Sequence, residues 1–97
     1  MRNVYLVSYH VVDEKRLRKM HQKMRGFGYP LQYCLFRCEL SETEKEFLKE
    51  ALWDLMNWDQ DYFMLIDLGP AGARGDGCIE FWGDRQADLP SHAGVIV

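Results

Sequence analysis

No run in this 97-residue sequence approaches the roughly 18 consecutive apolar residues that a membrane-spanning helix needs. The opening Met-Arg-Asn leads into a short strand and not into the apolar segment of a secretory signal, so a soluble protein of the cytoplasm is expected. Cysteine is scarce and odd in number: Cys34, Cys38 and Cys78. On one strand Cys34 and Cys38 would stand about 13 Å apart, beyond disulfide reach. With no CxxC and no closely spaced Cys/His pair, neither structural disulfides nor a zinc site is expected. The length leaves room for one modest core and not for a second.

Acids are nearly missing from the first part of the chain. Residues 1–37 hold eight Lys/Arg against two Asp/Glu, and residues 38–97 hold four against thirteen, which together give the net charge of −3. A chain divided in this way can present a basic surface to phosphates although its pI is near 5.5. The alternative is that the two halves neutralise each other.

The stretch from Val4 to Arg25 reads as a strand, a turn and a basic amphipathic helix. Val4 to Tyr9 is β-branched and aromatic with apolar groups on both faces, as in a strand covered on both sides. The strand ends at His10, with Asp13 just beyond. These two are the candidate metal-binding or acid-base residues, placed where a strand hands over to a helix. Asp13 as N-cap and Glu14 in the first turn predict a helix from Glu14 to Arg25, with Leu17, Met20, Met24 and Phe27 inward. Its remaining face carries Lys15, Arg16, Arg18, Lys19, Lys23 and Arg25, half of all positive charges in the chain. A solvated face would mix signs, so these six are the candidate nucleic-acid-binding residues, acting on phosphates.

Gly26, Gly28 and Pro30 end that helix, and a second strand is expected from Leu31 to Cys38. Ser41 and Glu44 form a capping box for a second helix reaching Asn57, with Phe47, Leu48, Ala51, Leu52, Leu55 and Met56 as its core stripe. Strands are expected at Tyr62–Leu68 and Cys78–Trp82. The glycine-rich run Gly69–Gly77 lacks a Lys-Ser/Thr signature and reads as a loop, its Arg74-Gly75-Asp76 as coincidence. Val95–Val97 reads as a strand pairing with an edge of this subunit or of a partner.

The order β-α-β, then α-β-β, points to an α+β, ferredoxin-like βαββαβ-type sandwich with an extra C-terminal strand. Residues 1–82 would form the domain and 83–97 a tail with a dimer-pairing strand. Both helices of that fold cover one sheet face. The other face, apolar here, is expected to join two copies as a homodimer.

The string LVSYHVVDEKRLRKMHQKMRGFGYPLQYCLFRCEL resembles the small CRISPR-associated protein family called Cas-two. The family pattern is a strand ending Ser-Tyr-Asp, then Asp-x-Lys-Arg-Leu-Arg-Lys, then Tyr-Gly-x-Arg-Val-Gln-Tyr-Ser-Val-Phe-Glu. The matches are Val7-Ser8-Tyr9, Asp13, Lys15-Arg16-Leu17-Arg18-Lys19, Gly28, Gln32-Tyr33 and Phe36. The likeness extends through the second helix and third strand and weakens from Gly69 onward.

The resemblance implies a ferredoxin-like homodimer that sits between copies of the adaptation integrase in CRISPR antiviral defence. There it would hold double-stranded DNA for spacer acquisition. It also implies an alternative, a magnesium-dependent endonuclease acting on RNA or double-stranded DNA, with the ion held between the strand-ending Asp residues of two subunits. This sequence departs from the pattern with His10 for that Asp, Pro30 for an Arg, Cys34 for the Ser and Arg37 for the Glu. Magnesium prefers hard oxygen donors, so a His10 pair suits a softer ion better, or none. A DNA-holding adaptor with little hydrolysis is therefore the leading expectation, ahead of a metal-dependent phosphodiesterase using Asp13 and His10. A toxin-like endoribonuclease on a related dimer is a third.

Overall fold

A computed structural model describes residues 1–83 and, as backbone pairing only, Val95–Ile96. The elements are β1 (Arg2–His10), α1 (Glu14–Met24), β2 (Gly28–Gln32), β3 (Leu35–Ser41), α2 (Glu42–Leu55), β4 (Tyr62–Pro70), α3 (Arg74–Gly77), β5 (Glu80–Phe81) and β6 (Val95–Ile96). β1 to β4 form one antiparallel sheet in the order β2-β3-β1-β4, the ferredoxin-like arrangement. β6 pairs in parallel with β5, Glu80 opposite Val95 and Phe81 opposite Ile96. The stretch 84–94 and Val97 lie outside the described residues.

The single strand expected from Leu31 to Cys38 is instead a hairpin, β2 and β3 meeting at a turn on Tyr33-Cys34. The turn carries none of the Gly, Asn or Asp residues that advertise a hairpin, and no non-glycine residue among those described has positive φ. Apolar residues on both sides of it made the run look continuous. The backbone N–H of Tyr9 donates to the Cys34 carbonyl at 3.2 Å, fixing the turn against β1. Pro30 is tolerated because β2 is an edge strand. The hairpin also requires a bare backbone at Gly28, where a Cβ would come within 2.7 Å of the Cys38 sulfur.

Period-two alternation along β1 divides the sheet faces. Tyr5, Val7 and Tyr9 turn to the helices and join Phe36, Cys38 and Leu40 of β3 in the core. Met20 and Met24 of α1 and Leu48 and Leu52 of α2 close over them, all fully buried. Phe47, expected in the α2 stripe, is 58% exposed, because Leu48 and Leu52 already fill the line of contact. The capping box of α2 forms as read: the Ser41 hydroxyl accepts from the Glu44 N–H at 3.2 Å, and the Glu44 carboxylate from the Ser41 N–H at 2.8 Å.

On the opposite face, β1 residues Leu6, Ser8 and His10 stand in register with Ile66, Met64 and Tyr62 of β4. Tyr62, Met64 and Ile66 are exposed, and no helix covers them among the described residues. One end of this face is covered by α3. Gly75 packs so closely on Val4 that a Cβ would fall 2.9 Å from its methyl, which buries the Arg-Gly-Asp tripeptide at its centre. Arg37, 2% exposed, donates to the Tyr29 hydroxyl at 2.9 Å and to the Asp76 carboxylate. The acid in α3 therefore neutralises the base that departs from the family pattern.

Candidate nucleic-acid interface and strand-end residues

The polar start of α1 is built by Asp13. Its backbone is extended (φ −85°, ψ 130°) and its carboxylate accepts from the Arg16 N–H at 2.9 Å. Asp13 thus acts as an N-cap, with one oxygen already engaged. His10, at the exposed end of β1, stacks on Tyr62 with ring centroids 5.4 Å apart. No hydrogen bond joins His10 and Asp13 among the described residues. Nor does any group of three His, Cys, Asp or Glu there stand close enough to share an ion. One imidazole and a half-engaged carboxylate do not fit magnesium, which needs several oxygen donors in near-octahedral array.

The six basic residues separate into two kinds. Arg16 turns inward: its Nε donates to Asp61 at 2.8 Å, and a terminal nitrogen reaches Asp61 and Gln60, each at 3.2 Å. Asp61, whose side chain is fully buried, also accepts from the backbone N–H of Val12 and of Asn57, each at 3.0 Å. The Arg16 guanidinium, then the two backbone donors, hold its carboxyl down at about 2 against the opposing effect of burial. Arg16 is accordingly a structural tie between two loops. Arg18, 62% exposed, lies 3.4 Å from Glu14 one turn back. Lys15, Lys19, Lys23 and Arg25 are exposed and make no ion pair among the described residues. Lys15, Lys19 and Lys23 recur every fourth residue and form a stripe about 12 Å long at 1.5 Å per residue.

Two residues of this region, Asp61 and His21, carry roles although neither is among the candidate site residues read from the sequence. Asp59-Gln60-Asp61 has the composition of a turn, and nothing local marks Asp61 as the buried member. His21 had a signal, since it falls on the 17-20-21-24 stripe of α1. Its Nδ1 meets the Tyr9 hydroxyl at 2.5 Å, its ring lies 4.6 Å from that of Tyr33, and its buried Nε2 has no hydrogen-bond partner. Burial, and then Arg25, push its pKa down. The Tyr9 phenol is pushed up by burial.

A shallow groove runs along the C-terminal half of α1. Its walls carry Lys19, Gln22 and Lys23, its floor is Phe27 and Leu55, and its volume is about 530 Å³.

The family model described as CRISPR associated protein Cas2 matches residues 3–73. The chain is 34% identical over 71 residues to the CRISPR-associated endoribonuclease Cas2 of Geobacter sulfurreducens, spanning 73% of this chain and 75% of that one. It is 32% identical over 69 residues to a CRISPR-associated endoribonuclease Cas2 of Rhodospirillum rubrum, spanning 71% and 68%. The crystal structure of Streptococcus pyogenes Cas2 at pH 6.5 superposes with a TM-score of 0.69 at 26% identity, over 82% of this chain and 99% of that one. A crystal structure of cas2 superposes with a TM-score of 0.72 at 17% identity, over 93% and 97%, a likeness of fold. From β1 through β4, where sheet order, capped basic helix and family match all coincide, this chain belongs to the CRISPR-associated Cas2 family.

Proposed function

We propose that this protein is a homodimeric holder of double-stranded DNA in CRISPR adaptation, working in the cytoplasm between copies of the adaptation integrase and hydrolysing little itself. The observation that supports it best is the α1 stripe of Lys15, Lys19 and Lys23, exposed and unpaired among the described residues. Such a stripe attracts phosphates without reading bases. The apolar sheet face of Leu6, Tyr62, Met64 and Ile66 supplies the surface for the second copy. Residues 1–82 then form the domain, and 83–97 a tail whose last strand contributes to the dimer. The direct test is binding of random-sequence duplexes across a salt series by fluorescence anisotropy. Steep salt dependence with little sequence preference is expected, and salt-independent or absent binding would refute the reading.

A second reading has its own support, since the relatives in Geobacter sulfurreducens and Rhodospirillum rubrum are named endoribonucleases. In it the protein is a divalent-metal phosphodiesterase on RNA or double-stranded DNA. When bound beside a scissile phosphate, such an ion supplies charge stabilisation and an acidified water. His10 is the strand-end residue that would face the ion, and Asp13 would lend its free oxygen. Cleavage of RNA and duplex DNA by the unaltered protein, with magnesium and with EDTA, separates the two readings.

A further inference from the structure

The groove at the end of the lysine stripe has a composition that duplex binding does not use. A double helix shows an α-helix laid along its backbone only sugars and phosphates, for which Lys15, Lys19 and Lys23 suffice. Past Lys19 and Lys23, however, the lining turns to Phe27 and Leu55, with Gln22 beside them and no carboxylate among the described residues that line it. Phe27 and Leu55 pack partly against the core, so the floor is held in place. Two cations one helical turn apart beside the apolar side chains of Phe27 and Leu55 match a ligand with a phosphate at one end and a planar ring at the other. The volume, about 530 Å³, lies within the range of small-ligand sites.

We infer that this groove is a subsite for one unpaired nucleotide, its phosphate between Lys19 and Lys23 and its base against Phe27 and Leu55. Base-on-aromatic contacts tolerate any sequence, which suits a subsite beside a surface that reads only backbone. Gln22 offers an amide donor and acceptor to the base edge or the sugar hydroxyls. The inference rests on the duplex-holding reading only for the nucleotide's source. The ligand is either the unpaired end of a bound strand or a free nucleotide.

The full-length protein is titrated with AMP, ribose 5-phosphate and inorganic phosphate, following the Gly26 amide and the Leu55 methyls by NMR. AMP should shift both and bind at least tenfold more tightly than ribose 5-phosphate. The exposed-site variant Gln22→Glu, which sets a carboxylate on the rim without touching the core, should weaken AMP at least fivefold and leave the remaining spectrum unchanged. Equal binding of AMP and ribose 5-phosphate, or shifts confined to lysine side chains, would overturn the subsite and leave the duplex reading intact. Duplexes with and without a one-nucleotide overhang then identify the source. A threefold or greater preference for the overhang, lost in Gln22→Glu, assigns the strand end, and no preference assigns the free nucleotide. Failure of blunt duplex to bind while AMP does would refute the duplex reading alone.

Discussion

The Arg16 guanidinium lies against the buried Asp61 carboxylate, with Nε to Oδ2 at 2.8 Å across 45 positions of sequence. This contact fastens the β1–α1 junction, through the Val12 and Asn57 N–H groups, to the segment between α2 and β4. It therefore sets how the basic helix leaves the sheet.

Removing the Asp61 carboxylate leaves the Val12 and Asn57 N–H groups and the partly buried Arg16 guanidinium without their common acceptor. Asp61→Ala should cost about 3 kcal/mol of unfolding free energy, read from urea denaturation. The pH dependence has a definite sign. The folded-state pKa is depressed to about 2, so the folded chain binds this proton less readily than the unfolded one. The stabilisation is complete above about pH 4, the ordinary carboxylate range, and disappears as pH falls from there towards 2. A thermal midpoint that falls with acidification in the parent and is flatter in Asp61→Ala over that interval is the expected result.

Lys15, Lys19 and Lys23 replaced together by alanine should leave the fold untouched and weaken duplex DNA binding. If each side chain neutralises one phosphate, the slope of log affinity against log salt should shrink by about 3, at about 0.9 for each phosphate left unneutralised. Arg16→Ala is the informative contrast. It should lower the melting temperature first, and affect DNA only as far as α1 becomes misdirected. Equal slopes for parent and triple variant would show that these lysines are merely hydrated.

His10→Asp puts a hard oxygen donor at the end of β1. Magnesium-dependent cleavage of RNA or DNA, slight or absent in the parent, should rise in this variant and vanish with EDTA. Arg37 will not interfere directly, because Tyr29 and Asp76 occupy its terminal nitrogens beneath α3. Strong EDTA-sensitive cleavage by the parent that His10→Ala abolishes would favour the hydrolytic reading.

Met64 is half exposed at the middle of the bare sheet face. Met64→Glu should convert a dimer to a monomer in light scattering at micromolar concentration, with little change in the monomer's own melting temperature. A parent that is already monomeric would remove the dimer from the proposal.

The sequence made the helices and the layer arrangement legible because capping and period are local signals. Asp13, Ser41 and Glu44 each sit where the side-chain cap demands, and Met20, Met24, Leu48 and Leu52 bury on schedule. The hairpin at Tyr33-Cys34 was not legible, since its turn needs no special residue and its flanks are apolar throughout. The basic face was legible as composition but not as geometry. Which of Arg16 and Lys15 turns inward depends on Asp61, a partner supplied by the other end of the domain. His21 stood on the buried stripe and was eclipsed by the lysines and arginines on either side.

The strand made first is also the one that must wait longest. β1 leaves the ribosome before β2, β3 and β4, yet its two neighbours are residues 35–41 and 62–70. A nascent chain that has emerged only as far as α2 can already zip β1 to β3, but the other side of β1 then carries unpaired N–H and C=O groups between apolar faces. Until β4 has emerged as far as Pro70 that side can recruit a foreign strand. The time taken for residues 42–70 to emerge, together with chaperone cover during that interval, should therefore govern the yield of soluble protein more than the stability of the finished domain.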